Sequence, residues 1–248
     1  GGVLALGGQK QTATVTKSDE KCVKLVDGMD TVVPTTGIRM IFGTPIFVGT
    51  VPKMDRMNEQ LSQYLFHLEK TNSGSGNRKS SRGNGYRTDD NFLELQIPAV
   101  KQLKGHLLRF ANHVWQFGRN KPYQKAELRL KGWANIMRHG AHHTPHLHPS
   151  AVWSGVYYVK VPQDIGEFNQ KHADQSQGCL VLMDPRHAVH MTTIANDDTQ
   201  FVDKMEVCPA SSMVVMFPSW LSHFVPYLES TSEDRIAISF NVHAVLRE

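Results

Sequence analysis

The spacing of hydrophobic positions changes once along this chain, near Pro122. Before that point Met54, Met57, Leu61, Tyr64, Leu65 and Leu68 recur every three or four residues, as do Leu103, Leu107, Phe110, Ala111, Val114 and Trp115. Such spacing gathers apolar side chains into one stripe of a helix. It predicts amphipathic helices over about 54–68 and 99–117 that pack against a sheet. Just upstream, IRMIFGTPIFVGTV over 38–51 predicts one or two strands interrupted at Gly-Thr-Pro. After Pro122 the apolar runs are short and β-type: AELRLKGWANIM, WSGVYYVKV, GCLVLMD, SMVVMF, SHFVPYL and RIAISFNVHAV, separated by Pro, Gly, Asn, Asp and Ser. No helix-length segment lies between them, which disfavours a parallel βαβ sheet and favours an antiparallel sandwich, jelly roll or barrel. The expected organisation is a poorly determined extension over 1–36 and a single domain over 37–248. Within that domain, 37–122 forms a helical support region and 123–248 the mainly β core of an α+β fold.

Composition narrows the class. Of 248 residues, 40% are hydrophobic and 20% charged, the balance of an ordinary globular chain. Apolar runs such as Met213 to Pro218 fall far short of the roughly 20 residues needed to cross a bilayer, so no membrane span is expected. A net charge of +4 permits acidic ligands without calling for nucleic acid. The local excess Arg78, Lys79, Arg82 and Arg87 sits in a Gly/Ser/Asn-rich run over 71–90 that reads as a flexible, solvated loop. Three cysteines, Cys22, Cys179 and Cys208, make neither a disulfide framework nor a CxxC metal pair. That usage fits the cytoplasm or another reducing compartment. An opening Gly1 is compatible with a removed targeting peptide.

Candidate chemistry concentrates in histidine. Thirteen are present, and four fall in HHTPHLH from His142 to His148. His146 and His148 are two residues apart, and on an extended strand such residues face the same side, so both imidazoles can meet one metal. The alternative is a pair of surface histidines. His223 lies 75 positions beyond His148 and opens a later β-type run. Ligands on an early and a late strand converge only if the sheet curls its ends together, as in a jelly roll. Twelve positions further, Arg235 starts the apolar run IAISFNV. An arginine opening an inward-facing strand needs an anion, and a carboxylate held by paired hydrogen bonds suits it; the competing reading is a surface ion pair with Glu233 or Asp234.

The segments PHLH (145–148), GVYYV (155–159), GCLVLMDP (178–185), VVMFPSWLSHFV (214–225) and RIAISFNV (235–242) occur in the order of a known family. From about Ala126 to Val245 the chain resembles the iron(II)- and 2-oxoglutarate-dependent oxygenases. The likeness is greatest to members with HPHxHP and SGVYYV-like signatures and more distant to the prolyl hydroxylases. The resemblance implies a double-stranded β-helix of jelly-roll or cupin type, with iron(II), 2-oxoglutarate and O2 as cofactor and cosubstrates. It implies His146 and His223 as iron ligands, Arg235 as anchor for the far carboxylate of 2-oxoglutarate, and Tyr158 as a hydroxyl donor to that carboxylate. Tyr157, one residue away, faces the other side of its strand. Trp133, Asn135, Trp153 and Trp220 are candidate pocket linings, while His142 and His143 read as loop or supporting residues. The chain departs from the pattern at His148, where the family places a carboxylate. The triad is then three histidines, or two histidines and an acid for which Asp184 is the nearest candidate. The implied reaction is oxidation, most simply hydroxylation, of a small molecule or peptide. Other readings are a three-histidine dioxygenase that binds its substrate directly to iron, a zinc hydrolase, and a non-catalytic metal- or ligand-binding jelly roll.

Overall fold

Both helical stripes fold as helices: α1 spans Asp55–Thr71 and α2 spans Pro98–Gln116. The structure, a computed structural model, describes residues 43–71, 81–117, 126–163, 165, 177–186, 203–229 and 233–246. The chain divides into two compact units, Gly1–Gly43 and Thr44–Glu248, and the described helices and strands all belong to the second. The expected extension over 1–36, the strand residues before Gly43, and Cys22, Arg78 and Lys79 lie outside the described residues. Pro98 begins α2, where its missing N–H costs no helical hydrogen bond.

The strands form two antiparallel sheets. Along the chain they are β1 (Phe47–Thr50), β2 (Ser81–Arg82), β3 (Gly85–Arg87), β4 (Ala126–Met137), β5 (His142–His146), β6 (Trp153–Lys160), β7 (Leu180–Met183), β8 (Lys204–Val207), β9 (Met213–Pro218), β10 (His223–Val225) and β11 (Arg235–Leu246). A six-stranded sheet has the order β1-β9-β6-β11-β4-β3, and a five-stranded sheet the order β2-β5-β10-β7-β8. Strands from β4 onward thus pass back and forth between the sheets, the arrangement of a double-stranded β-helix. β8, rich in polar residues, is not among the predicted runs, and β5, the early strand expected to carry both His146 and His148, ends at His146. The basic segment read as a loop contributes β2 and β3, and Arg87 lies opposite Asn135 of β4. Among the described residues no helix is long and apolar enough to cross a membrane.

Alternation along each strand of the larger sheet gives its faces different work. Leu130, Ala134 and Ile136 of β4, Tyr157 and Val159 of β6, Val214 and Met216 of β9, and Ile236, Ile238 and Phe240 of β11 join one core. The apolar stripes of both helices complete it. On the opposite face Val156, Tyr158, Val215, Phe217 and Ala237 pack towards Leu180 and Leu182 of the smaller sheet. Gly155 permits this crowding: a Cβ there would fall 2.5 Å from Phe240 and 2.8 Å from the Val215 carbonyl oxygen. A polar tie crosses the helix-side core, where the Tyr157 hydroxyl donates to Asn58 Oδ1 at 2.6 Å and Asn58 Nδ2 donates to Ser212 at 2.9 Å.

Arg138 follows β4 and joins three segments. Its guanidinium donates to both Glu69 oxygens of α1 at 2.7 and 2.8 Å, and to both Asp234 oxygens just before β11 at 3.1 and 3.0 Å. Half-buried multiple pairing of this kind is worth more than an exposed ion pair, and removing the cation strands two carboxylates together. Arg138→Met is expected to lower stability by about 1–3 kcal/mol, read as a lower urea midpoint with unchanged slope.

Candidate metal centre

The smaller sheet brings the three predicted histidines together. β5 and β10 pair antiparallel with His146 directly opposite His223. Opposed residues share a face, and the two ring centroids are 4.3 Å apart. His148 lies just beyond β5. Its backbone N–H donates to the Ser219 carbonyl at 3.0 Å, which ties this segment to the turn between β9 and β10. The His148 ring stacks on His223 at 5.0 Å with 15° between planes. One ring nitrogen from each of the three lies within 4.8 Å of the others.

Hydrogen bonds orient the rings. Nδ1 of His146 is 2.7 Å from the Thr144 carbonyl, and Nδ1 of His223 is 2.9 Å from that of Leu221. A carbonyl only accepts, so each Nδ1 carries the proton and each Nε2 presents a lone pair in the neutral ring. Burial lowers the pKa of all three, His148 to about 4 and His223 to about 3, with neighbouring histidines adding to the effect for those two. Nε2 of His148 and Nε2 of His223 are 3.1 Å apart. That separation suits a proton shared between them, and equally a cation bound by both: ligands about 2.1 Å from a metal at right angles sit about 3 Å apart. The donor set therefore fits a metal ion. Asp184 is not part of it; its carboxylate binds Arg186 with an Nε contact of 3.0 Å. No acid joins the cluster among the described residues.

The same cavity has a cationic end on the larger sheet. Arg235, at the start of β11, is 2% exposed and lines the cavity with the three histidines. Nε donates to the Gly178 carbonyl and Nη1 contacts Met137 Sδ, both at 3.1 Å. The guanidinium carbon lies 5.2 Å from the centre of the Tyr158 ring. Neither acid offered by the surface ion-pair reading takes Arg235: Glu233 pairs with Lys160 at 3.5 Å and Asp234 with Arg138 at 3.0 Å. Among the described residues no carboxylate pairs with Arg235. Burial accordingly lowers its pKa.

Tyr158 and Asn135 also line this cavity, which encloses about 550 Å³ including its open mouth. The Tyr158 hydroxyl and Asn135 Oδ1 are buried without a hydrogen-bond partner among the described residues. Groups left so are uncommon and suit ligand contact. Burial pushes the Tyr158 pKa up to about 12 despite the nearby guanidinium, so it is a neutral donor. Trp133 lines the cavity, its ring 5.8 Å from His148 and covered by the Arg87 guanidinium at 4.6 Å.

The structure separates the other two candidate tryptophans from the cavity. Trp153 packs against the helix-side core, since it has the parity of Tyr157 rather than of Tyr158. Trp220 lies between β9 and β10, 53% exposed and outside the cavity lining. His143, read as a supporting residue, lines the cavity instead. Between the pairs His146–His223 and His143–Val225, β5 spends three residues where β10 spends two. This bulge re-aims side chains and brings His143 to the side of His146, a feature that strict alternation does not reveal.

These two sheets, with three imidazoles and a buried guanidinium between them, define a double-stranded β-helix with a metal-binding type of site. Residues 131–241, most of the β core, match the family described as "Putative 2OG-Fe(II) oxygenase", so this part of the chain is similar to the iron(II)- and 2-oxoglutarate-dependent oxygenases. Solved structures agree on the fold. A Pseudomonas putida prolyl-4-hydroxylase shares 13% identity at a TM-score of 0.53, covering 81% of this chain and 92% of that one. A Trichoplax adhaerens prolyl hydroxylase, solved with a peptide fragment of the hypoxia inducible factor oxygen degradation domain, shares 14% at a TM-score of 0.53, covering 80% and 83%. HygX from Streptomyces hygroscopicus, solved with nickel and 2-oxoglutarate, shares 14% at a TM-score of 0.50, covering 81% and 83%. No curated protein gives a significant match.

The depressed histidines carry a consequence for stability. The folded protein holds them neutral, His143 and His223 down to about pH 3 and His148 to about pH 4, whereas the unfolded chain takes up protons near pH 6.5. Below about pH 6.5 the unfolded state therefore binds more protons, and stability falls as pH falls towards the folded values. In metal-free protein each such histidine is expected to contribute a loss of about 1 kcal/mol per pH unit between pH 6 and 4. Urea unfolding at stepped pH measures this, and His143→Phe should make the decline shallower.

Proposed function

We propose that this chain is a non-haem iron(II) oxygenase that couples decarboxylation of 2-oxoglutarate to oxidation, most simply hydroxylation, of a small-molecule or peptide substrate. One observation carries the reading: a buried guanidinium, with no carboxylate partner among the described residues, opens onto the same cavity as three convergent neutral imidazoles. A buried cation is costly without a counter-charge, and a dicarboxylate that reaches both the metal and Arg235 supplies one. HygX, which has a similar fold, was solved with nickel and 2-oxoglutarate bound.

His146, His148 and His223 would hold iron(II) through their Nε2 atoms. When bound, the iron supplies a site for the 2-oxo acid and O2 and the capacity for a two-electron oxidation. Arg235 binds the far carboxylate of 2-oxoglutarate with the N–H groups not used on Gly178 and Met137, and Tyr158 donates its hydroxyl to the same group. His143 and Asn135 add polar contacts along the cavity, while Val156, Leu180 and Phe217 keep its interior apolar. Three neutral ligands leave the iron one unit more positive than a site with a carboxylate, which strengthens its pull on an anionic cosubstrate.

The missing carboxylate also favours a second reading, in which the substrate itself binds the iron and 2-oxoglutarate is not used. Anaerobic titration of the iron-loaded protein with 2-oxoglutarate separates the two. On the favoured reading a visible metal-to-ligand charge-transfer band grows and saturates. Arg235→Ala then raises the half-saturating concentration at least about thirty-fold, the loss of one buried charge partner, and His148→Ala reduces iron retained on desalting. Iron bound without a band, together with substrate-dependent O2 uptake unaffected by Arg235→Ala, would establish direct ligation instead.

A further inference from the structure

β7 and β8 pair antiparallel with Leu180 opposite Val207, so the next positions outward are Cys179 and Cys208. Their sulfurs lie 2.6 Å apart. Cys179 is fully buried and Cys208 is exposed. The pair is local to the anion end of the cavity: the residue before Cys179 is Gly178, whose carbonyl receives Arg235 Nε at 3.1 Å. Gly178 is held at φ 67°, and a Cβ there would lie 3.0 Å from Ile165 and 3.1 Å from Leu228. The backbone leading into Cys179 is thus tightly placed, and the cysteine meets its partner without rearrangement of the strands.

We propose that Cys179 and Cys208 are a redox-active pair that closes to a cross-strand disulfide, fastening the outer edge of the smaller sheet beneath the Arg235 anchor. The oxidant class is a small disulfide such as oxidised glutathione. The exposed Cys208 thiolate attacks one sulfur of that disulfide, forming a mixed disulfide and expelling one glutathione thiolate. The Cys179 thiolate then attacks the Cys208 sulfur and expels the second. Two protein thiols lose two electrons and two protons, and one oxidised glutathione becomes two reduced molecules. The order follows from access. Burial also pushes the Cys179 thiol up, which makes Cys208 the better first nucleophile. The new bond would close a loop of about 30 residues that includes the connection between β7 and β8, and loop closure stabilises chiefly by restricting the unfolded chain.

The test uses the full chain, reduced, then equilibrated in glutathione buffers of increasing oxidised fraction, alkylated and digested without reduction. One cross-linked species joining the Cys179 and Cys208 peptides is expected, reversed by dithiothreitol. With it the Tm should rise by about 5–15 °C. In Cys208→Ser, at the exposed position, the cross-link and the Tm difference between oxidised and reduced protein should both vanish. Both thiols recovered alkylated, or Cys208 recovered only as its glutathione adduct, would overturn the pairing. Cross-linking with no rise in Tm would overturn the fastening role. None of these readouts depends on iron, 2-oxoglutarate or substrate.

Discussion

β11 is hydrogen-bonded along its length on one edge to β4 and over much of its length on the other to β6. A strand so placed cannot slip, because a shift of one residue would exchange its two faces. Ile236, Ile238, Phe240 and Val242 are thereby committed to the helix-side core, and Arg235, Ala237 and Ser239 to the cavity. The same parity runs through β4, β6 and β9. One face of the larger sheet builds stability with α1 and α2, and the other builds the site. Every later feature depends on that division.

Burying Arg235 is the cost of this arrangement, and its surroundings keep the charge available. Arg138 holds Asp234, and Lys160 holds Glu233, so the two acids beside Arg235 in sequence point elsewhere. Gly178 and Met137 take two donor positions and fix the plane of the guanidinium without neutralising it. A preset cation, facing neutral imidazoles across a cavity, is the arrangement on which the proposed recognition of an anion that also ligates metal rests.

The two ends of the cavity come from different sheets. The smaller sheet supplies the imidazoles through β5, β10 and the segment after β5; the larger supplies Arg235, Tyr158, Asn135 and Trp133. The distance between the ends is therefore set by how the sheets pack, through Val156, Val215, Phe217, Leu180 and Leu182. Bonds from the Nδ1 atoms of His146 and His223 to carbonyls of their own segments make the aim of those imidazoles a property of the local backbone.

Much of this was legible in the linear pattern. Both helices, the six long or apolar strands, the convergence of His146, His148 and His223, and the opposed facing of Tyr157 and Tyr158 all follow from period and spacing, because short-range geometry repeats along an element. The same parity applied to Trp153 already assigns it to the side of Tyr157. Other features had no local signal. β8 is a polar strand stabilised by its neighbours, the β5 bulge that turns His143 inward exists only against β10, and Cys179 meets Cys208 across 29 residues. Sequence by itself determined the elements, the family likeness and the three histidines that converge. Only the tertiary structure decided which acids Arg235 is denied, which aromatics reach the cavity and which thiols meet, since each depends on pairing between segments far apart in the chain.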